Sequence, residues 1–156
     1  MLRLALVLAL PLAVAACGGS SSSSAPTEAP RLTQKQFVTQ ANGVCMRSDR
    51  RVYRLGRLSL DPRGWAQTAA EARRGVAEMA RLRPPLAAQP RFDRLLHEGR
   101  RLAGGIQKVH DALVKENLPT AQKWQLEATK ADSGIHRLAR ALGLTFCQQL
   151  LTNWPA

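Results

Sequence analysis

The sequence predicts an all-α fold, an antiparallel four-helix bundle that follows a signal peptide and a disordered Ser-rich tether. Apolar side chains recur at helical spacing in four stretches. Short segments with proline or glycine separate these stretches, and short links favour antiparallel neighbours. No alternating run of β-branched residues indicates a strand. We therefore expect a signal peptide at residues 1–16, a tether at residues 17–31 and the bundle at residues 32–156.

The first two predicted helices begin with capping signals. Thr33 and Gln36 form a capping box, with Leu32 and Phe37 at the hydrophobic-staple positions beside it. The Asp61-Pro62 pair supplies an N-cap and a proline in the first helical turn. The apolar stripes that follow contain Phe37, Ala41, Val44, Cys45, Ser48, Val52 and Leu55 in the first helix, and Trp65, Ala69, Ala72, Val76, Met79 and Ala80 in the second.

The third predicted helix lies between two breaks in the pattern. The second helix ends at Pro84-Pro85, the third begins near Pro90 or Arg91, and it stops before Asn117-Leu118-Pro119. Gly104-Gly105 falls inside its apolar stripe. Two adjacent glycines there predict close packing against a neighbouring helix.

The fourth predicted helix runs from about residue 120 to Leu142. Gly143 is placed as the left-handed residue of a Schellman motif, and Leu144 is its hydrophobic follower. A turn through Cys147 then leads back toward the first helix. The tail at residues 148–156 is expected to add one more helical turn.

The first residues have the pattern of a secretory signal peptide. Arg3 precedes an apolar run over residues 4–16, shorter than the roughly 20 residues that a bilayer-spanning helix needs. Val14-Ala15-Ala16-Cys17 resembles the bacterial lipobox, which implies palmitate-type acyl chains on Cys17 and cleavage just before it. An ordinary signal peptide with a chance cysteine is the alternative. The Gly-, Ser- and Pro-rich tether behind it is expected to be disordered, with a reach of about 20 Å.

The composition is strongly basic, with 23 Lys+Arg against 11 Asp+Glu and a net charge of +12. Such a balance favours anionic partners, such as lipid head groups, wall polymers or acidic ligands. Nucleic acid is not an expected partner, because the chain is predicted to be exported and its few aromatic residues show no stacking pattern. The abundance of arginine and alanine also fits the bias of a GC-rich genome, so a purely compositional charge is the alternative.

Three cysteines are an odd number for an exported protein. If Cys17 carries lipid, Cys45 and Cys147 remain, and outside the cytosol such a pair tends to oxidise. This disulfide would close a loop of about 100 residues and contribute on the order of 4–5 kcal/mol through loop-closure entropy. A free or metal-binding pair is the alternative, but two thiols without a nearby histidine make a poor zinc site.

Two helix boundaries and two cysteines also form a recognisable pattern. Residues 32–37 precede Cys45, and Ala141-Leu142-Gly143-Leu144 precedes Cys147. In this pattern the chain resembles small uncharacterised lipoproteins of high-GC actinobacteria, over roughly residues 31–147. The resemblance implies an exported α-helical domain with a disulfide, and it implies no activity.

One histidine is a candidate ligand-facing residue. His110 lies close to the apolar stripe of the third helix, and an antiparallel fourth helix brings it near Trp124 and Glu127. It is interpreted either as a boundary histidine bonded to Glu127 or a backbone carbonyl, or as a haem ligand, metal ligand or pH-sensing group. His97 and His136 fall opposite their apolar stripes and are expected to be exposed.

Basic side chains form two candidate contact surfaces for anionic lipid or wall polymer. A ridge with heptad spacing, expected opposite the core of the third helix, contains Arg94, Arg101, Lys108 and Lys115. A cluster at the end of the first helix contains Arg47, Arg50, Arg51, Arg54 and Arg57. An ordinary solvated face is the alternative for both.

No catalytic motif occurs in the sequence, which lacks Gly-x-Ser-x-Gly, His-Glu-x-x-His and a phosphate-binding glycine-rich loop. We therefore expect no enzymatic activity, no cofactor and no metal, but a lipid-anchored binding module on the outer face of the cell membrane. The alternative is a carrier that holds haem or another apolar molecule inside the bundle, facing His110 and Trp124. An internal cavity of roughly 300 Å³ or more would favour the carrier.

Overall fold

Four helices make up most of the chain that the computed structural model describes, which is residues 30–56 and 61–148. Helix α1 is Gln34–Arg54, α2 is Pro62–Ala80, α3 is Gln89–Val114 and α4 is Leu118–Leu142, with 3₁₀ turns at Leu86–Ala88 and Phe146–Gln148. Strands are absent from these two ranges. The predicted all-α four-helix bundle is confirmed.

Successive helices run antiparallel, which gives the bundle two ends. The backbone N–H of Leu32 donates to the carbonyl of Arg83 at 2.8 Å, so the start of α1 lies beside the end of α2. The carbonyl of Pro62 lies 2.8 Å from Nδ1 of His110, so the start of α2 lies beside the last part of α3. We call the first of these the tether end, because the N-terminal chain joins the bundle there, and the second the far end.

The helix starts follow the sequence signals, with one shift. Thr33 and Asp61 both cap their helices through side-chain oxygens, as predicted. Helix α4 begins at Leu118, slightly before the predicted start, because Oδ1 of Asn117 accepts the backbone N–H of Thr120 at 3.1 Å. The proline next to Leu118 is compatible with this cap, since the first turn of a helix needs no donor there.

The end of α4 is the predicted Schellman motif. Gly143 has a φ of 74°, its N–H donates to Arg140, and the N–H of Leu144 donates to the carbonyl of Ala139 at 2.9 Å. Leu144 is fully buried. Helix α3 ends in a similar way, but its left-handed residue is Glu116, with a φ of 54°. A side chain at that position costs energy that glycine avoids, and the sequence signals did not identify this turn.

The core contains an aromatic pair near the tether end. Phe37 of α1 and Phe92 of α3 are buried, with ring centroids 5.3 Å apart and ring planes at 90°. This edge-to-face arrangement is the favoured geometry for two aromatic rings. Leu32 packs against the same core, as expected for the staple position beside the cap of α1.

Helices α3 and α4 approach closely where their side chains are small. A Cβ atom placed on Gly105 would lie 3.1 Å from Cβ of Ala128 and 3.3 Å from its Cα, whereas one on Gly104 would meet nothing within 4 Å. The predicted role of this glycine pair in close packing therefore belongs to Gly105. Gly104 is exposed.

The disulfide between Cys45 and Cys147 is present, with Cα atoms 5.1 Å apart. It joins the middle of α1 to the turn that follows α4. The backbone N–H of Phe146 also donates to Oδ1 of Asn42 at 3.0 Å, which ties the same turn to α1. The last described residues are therefore held against the first helix by a covalent bond and a hydrogen bond.

Several sequence predictions fall on residues outside the described ranges. These are the signal peptide, Cys17, nearly all of the tether, Arg57 and the tail at residues 149–156. Arg31, which we assigned to the tether, is described, and its guanidinium donates to the carbonyl of Pro84 and to Gln89 at the tether end. Within residues 30–56 and 61–148, none of the helices is both long and apolar enough to cross a bilayer.

Candidate functional site

An apolar cavity of about 90 Å³ lies between α1, α2 and α3. Its walls include Val52 of α1, Met79 of α2 and Leu96 of α3. Cys45 and Cys147 line it as well, so the disulfide forms part of its wall. An engineered apolar cavity of about 150 Å³ holds benzene, so this space can take only a few carbon atoms.

Polar groups around the cavity are few. Thr68 is buried, and its hydroxyl donates to the carbonyl of Gly64 at 2.9 Å. Ser48 lies against Gly75, where its Oγ would be 2.8 Å from an added Cβ, so this glycine lets α1 and α2 approach. Among the described lining residues Asp49 is the only charged one, and it is half-buried. The cavity therefore offers mainly dispersion contacts.

His110 and Trp124 lie at different helix interfaces. Nδ1 of His110 donates to the carbonyl of Pro62, which turns the ring toward α2. Trp124 is half-buried on α4, and Nζ of Lys108 lies 3.7 Å from its ring centroid. Neither ring lines the cavity. The sequence offered Glu127 or a backbone carbonyl as the partner of His110, and the structure has the carbonyl. Glu127 pairs instead with Lys130, and the hydrogen bond from Lys130 lowers the pKa of Glu127.

Replacement of His110 by alanine should lower the free energy of unfolding by about 1 kcal/mol, because the hydrogen bond from Nδ1 to the Pro62 carbonyl at the far end is lost. Urea denaturation followed by circular dichroism measures this loss. The exposed His97 on the same helix supplies the matched control, and its replacement by alanine should change stability by less than about 0.5 kcal/mol. Equal effects of the two substitutions would contradict a structural role for His110.

The predicted ridge on α3 is exposed, but its middle members have partners on α4. Arg101 lies 3.8 Å from a carboxylate oxygen of Glu127, and Lys108 covers the ring of Trp124. The ridge therefore borders α4 at this level instead of lying opposite the core. Arg94 and Lys115, at the two ends of α3, are exposed, and no ion pair joins either of them to a carboxylate of the described residues.

The basic cluster on α1 is in large part an ion-pair network with α2. The side chain of Arg51 is only 19% exposed. Its Nε lies 2.7 Å from a carboxylate oxygen of Glu71, and its Nη2 lies 3.1 Å from one of Glu78. The contact with Glu78 lacks the geometry of a hydrogen bond. Arg47 and Arg74 also pair with Glu78. The rest of the predicted cluster consists of the exposed Arg50 and Arg54, and of Arg57, which lies outside the described residues. The spacing of Glu71 and Glu78 along α2 could have indicated this ion-pair network, but the sequence prediction did not include it.

A carboxyl and an imidazole lie one turn apart on α4. Oδ1 of Asp132 is 3.6 Å from Nε2 of His136 and accepts no hydrogen bond from the described residues. Burial raises the pKa of Asp132, and the charge of His136 opposes this change. When a carboxyl group has a higher pKa in the folded state than in the unfolded state, the free energy of unfolding decreases as the pH rises through that pKa. His136 was predicted to be exposed and is half-buried, whereas His97 is exposed as expected.

The fold and these surfaces define a class of protein, a basic four-helix bundle closed by one disulfide and containing a small apolar cavity. No protein family, no curated protein and no solved structure matches the chain. In residues 30–56 and 61–148, no group of three or more His, Cys, Asp or Glu side chains is placed to hold a metal ion.

Proposed function

We propose that the chain is an exported lipoprotein, anchored through Cys17 to the outer face of the cell membrane, and that its bundle is a non-enzymatic binding module. The observation that carries this proposal is the use of the cysteines. The chain has three, and the disulfide occupies Cys45 and Cys147. Cys17 is left at the end of a lipobox-like segment, where two acyl chains would provide a stable anchor.

Binding through the surface is favoured over binding in the interior because of the size of the cavity. At about 90 Å³ it is well below the roughly 300 Å³ at which pockets for small molecules begin. The surface, in contrast, carries many exposed cations on all four helices. An anionic partner on or near the membrane therefore suits this bundle better than an enclosed ligand does.

Replacement of Cys17 by alanine should move the protein from the salt-washed membrane fraction to the aqueous fraction, because the acyl chains have no other attachment point and high salt screens any electrostatic binding to lipid. The test expresses both chains in a bacterium that processes lipoproteins, followed by fractionation and mass spectrometry. The wild-type chain should start at Cys17 and carry the mass of the acyl groups. A wild-type chain that is cleaved at another residue, or that carries no lipid, would contradict the proposal.

A second candidate function is the carriage of a small apolar molecule. The apolar lining of the cavity favours it, and the volume limits the ligand to a few carbon atoms, which does not suit haem. Haem titration followed near 400 nm and titration with a short alkane followed by NMR test the two kinds of ligand. Chemical-shift changes confined to the residues that line the cavity, such as Val52, Met79 and Leu96, would support carriage of the alkane.

A further inference from the structure

We propose that the tether end of the bundle is a docking surface for anionic phospholipid head groups. This inference deepens the proposed function and rests on it, because the lipid anchor is what would bring this end to a membrane. The surface consists of the first turn of α1, the end of α2 with the turn that follows, the start of α3 and the end of α4. We call it the basic end. Apart from Arg31, which donates to Pro84 and Gln89, its exposed cations are Lys35, Arg81, Arg91, Arg94, Arg137 and Arg140.

The antiparallel arrangement is what assembles these cations from separate parts of the sequence. Lys35 lies in the first turn of α1 and Arg91 in the first turn of α3, whereas Arg81 follows the last turn of α2 and Arg140 lies in the last turn of α4. The Leu32 and Arg31 hydrogen bonds to the α2–α3 connection place the start of α1 at the same end. No single stretch of the sequence contains this set.

The basic end has very little negative charge of its own. Its described segments, residues 31–38, 79–94 and 137–148, contain one carboxylate, Asp93, and that side chain accepts a hydrogen bond from Gln89. None of the six exposed cations forms an ion pair with a carboxylate of the described residues. This differs from the rest of the bundle, where Arg51 and Arg101 are paired.

The far end is more nearly balanced. Its described segments, residues 49–56, 61–68 and 109–124, contain exposed cations such as Arg54, Arg63 and Lys115. Acidic side chains lie among them, namely Asp49, Asp61, Asp111 and Glu116. A membrane with anionic lipids would therefore attract the basic end more strongly, even though both ends carry arginine and lysine.

The length of the chain before the bundle favours the same end. Twelve residues separate Cys17 from Pro30, and a coil of twelve residues spans about 20 Å on average. Helix α3, with 26 residues, is about 39 Å long. Contact of the far end with the membrane would need the chain to extend nearly fully along the bundle. Contact of the basic end needs no extension, and its cations then lie within the Debye length of about 8 Å.

Co-sedimentation with vesicles tests this proposal on the chain from residue 17 with Cys17 replaced by alanine, so that no lipid contributes. The triple variant Arg81→Gln, Arg91→Gln and Arg140→Gln should bind vesicles of 30% phosphatidylglycerol roughly a hundredfold more weakly, because each basic residue near an anionic surface contributes a factor of about five. Binding should fall further in high salt and be absent on purely zwitterionic vesicles. Circular dichroism checks that each variant is folded.

The matched control is the far-end triple Arg54→Gln, Arg63→Gln and Lys115→Gln, which loses the same charge. A fall of less than about fivefold for this control supports the basic end. Equal loss in the two triples, or binding to a soluble anionic polymer without binding to vesicles, would overturn the proposal. The vesicle-binding result does not depend on whether Cys17 is acylated, so the docking surface and the lipid anchor are tested separately. A lipidated Cys17 with no vesicle binding refutes only the docking surface, and vesicle binding with an unmodified Cys17 refutes the anchor on which the docking depends.

Discussion

Replacement of both Cys45 and Cys147 by alanine is expected to lower the free energy of unfolding by about 4–5 kcal/mol. The disulfide joins residues 102 positions apart, so its loss greatly increases the conformational entropy of the unfolded chain. Domains of this size have a total stability of about 5–15 kcal/mol, so a large share of it is lost. Thermal unfolding followed by circular dichroism should show a decrease of roughly 20 °C in Tm.

Reduction of the wild-type chain is the control for this variant, since it removes the cross-link without removing side chains. Wild-type protein refolded in reductant should unfold close to the temperature of the double variant. Both cysteines are at most 4% exposed, so reduction of the folded protein should need partial opening and proceed slowly. A stability loss below about 1 kcal/mol in the double variant would show that loop closure contributes little here.

Replacement of Gly105 by leucine should lower the free energy of unfolding by about 2–3 kcal/mol. An added Cβ would already lie 3.3 Å from the backbone Cα of Ala128, and a full side chain has no room between α3 and α4. Overpacking of this kind forces side chains off their rotamers or separates the helices. Urea denaturation of the purified variant measures the loss.

Gly104 provides the control for that substitution within the same helical turn. It is exposed, and a Cβ atom on it would meet nothing within 4 Å. Leucine at Gly104 should therefore increase stability by up to about 0.8 kcal/mol, because leucine is the better helix former. Similar changes in the two variants would mean that the α3–α4 interface tolerates a larger separation than the structure has.

The sequence predicted the helices well because helix boundaries depend on neighbours in the chain. The cap at Thr33 and the Schellman motif at Gly143 each need only residues within one turn. The earlier start of α4 also has a local cause, because Asn117, which the sequence places in the link before the helix, is the N-cap of α4. The left-handed Glu116 had no such signal, because a residue other than glycine or asparagine is uncommon there.

The disulfide was predicted by counting cysteines and by the expected compartment, without any geometry. The partners of charged and polar side chains could not be predicted in this way. Arg51 was assigned to a free basic cluster and is paired with Glu71 and Glu78, and His110 was placed beside Trp124 but bonds to Pro62. Each of these contacts depends on how far one helix is rotated and shifted against the next.

The sequence by itself therefore determined the number of helices, their order, most of their boundaries and the pairing of Cys45 with Cys147. Only the tertiary structure decided which side chains meet between helices, how small the cavity is, and which cations share one end of the bundle. The physical reason is one of range. Periodicity and capping act within a few residues, whereas the basic end is assembled from four segments that approach one another only when antiparallel helices pack.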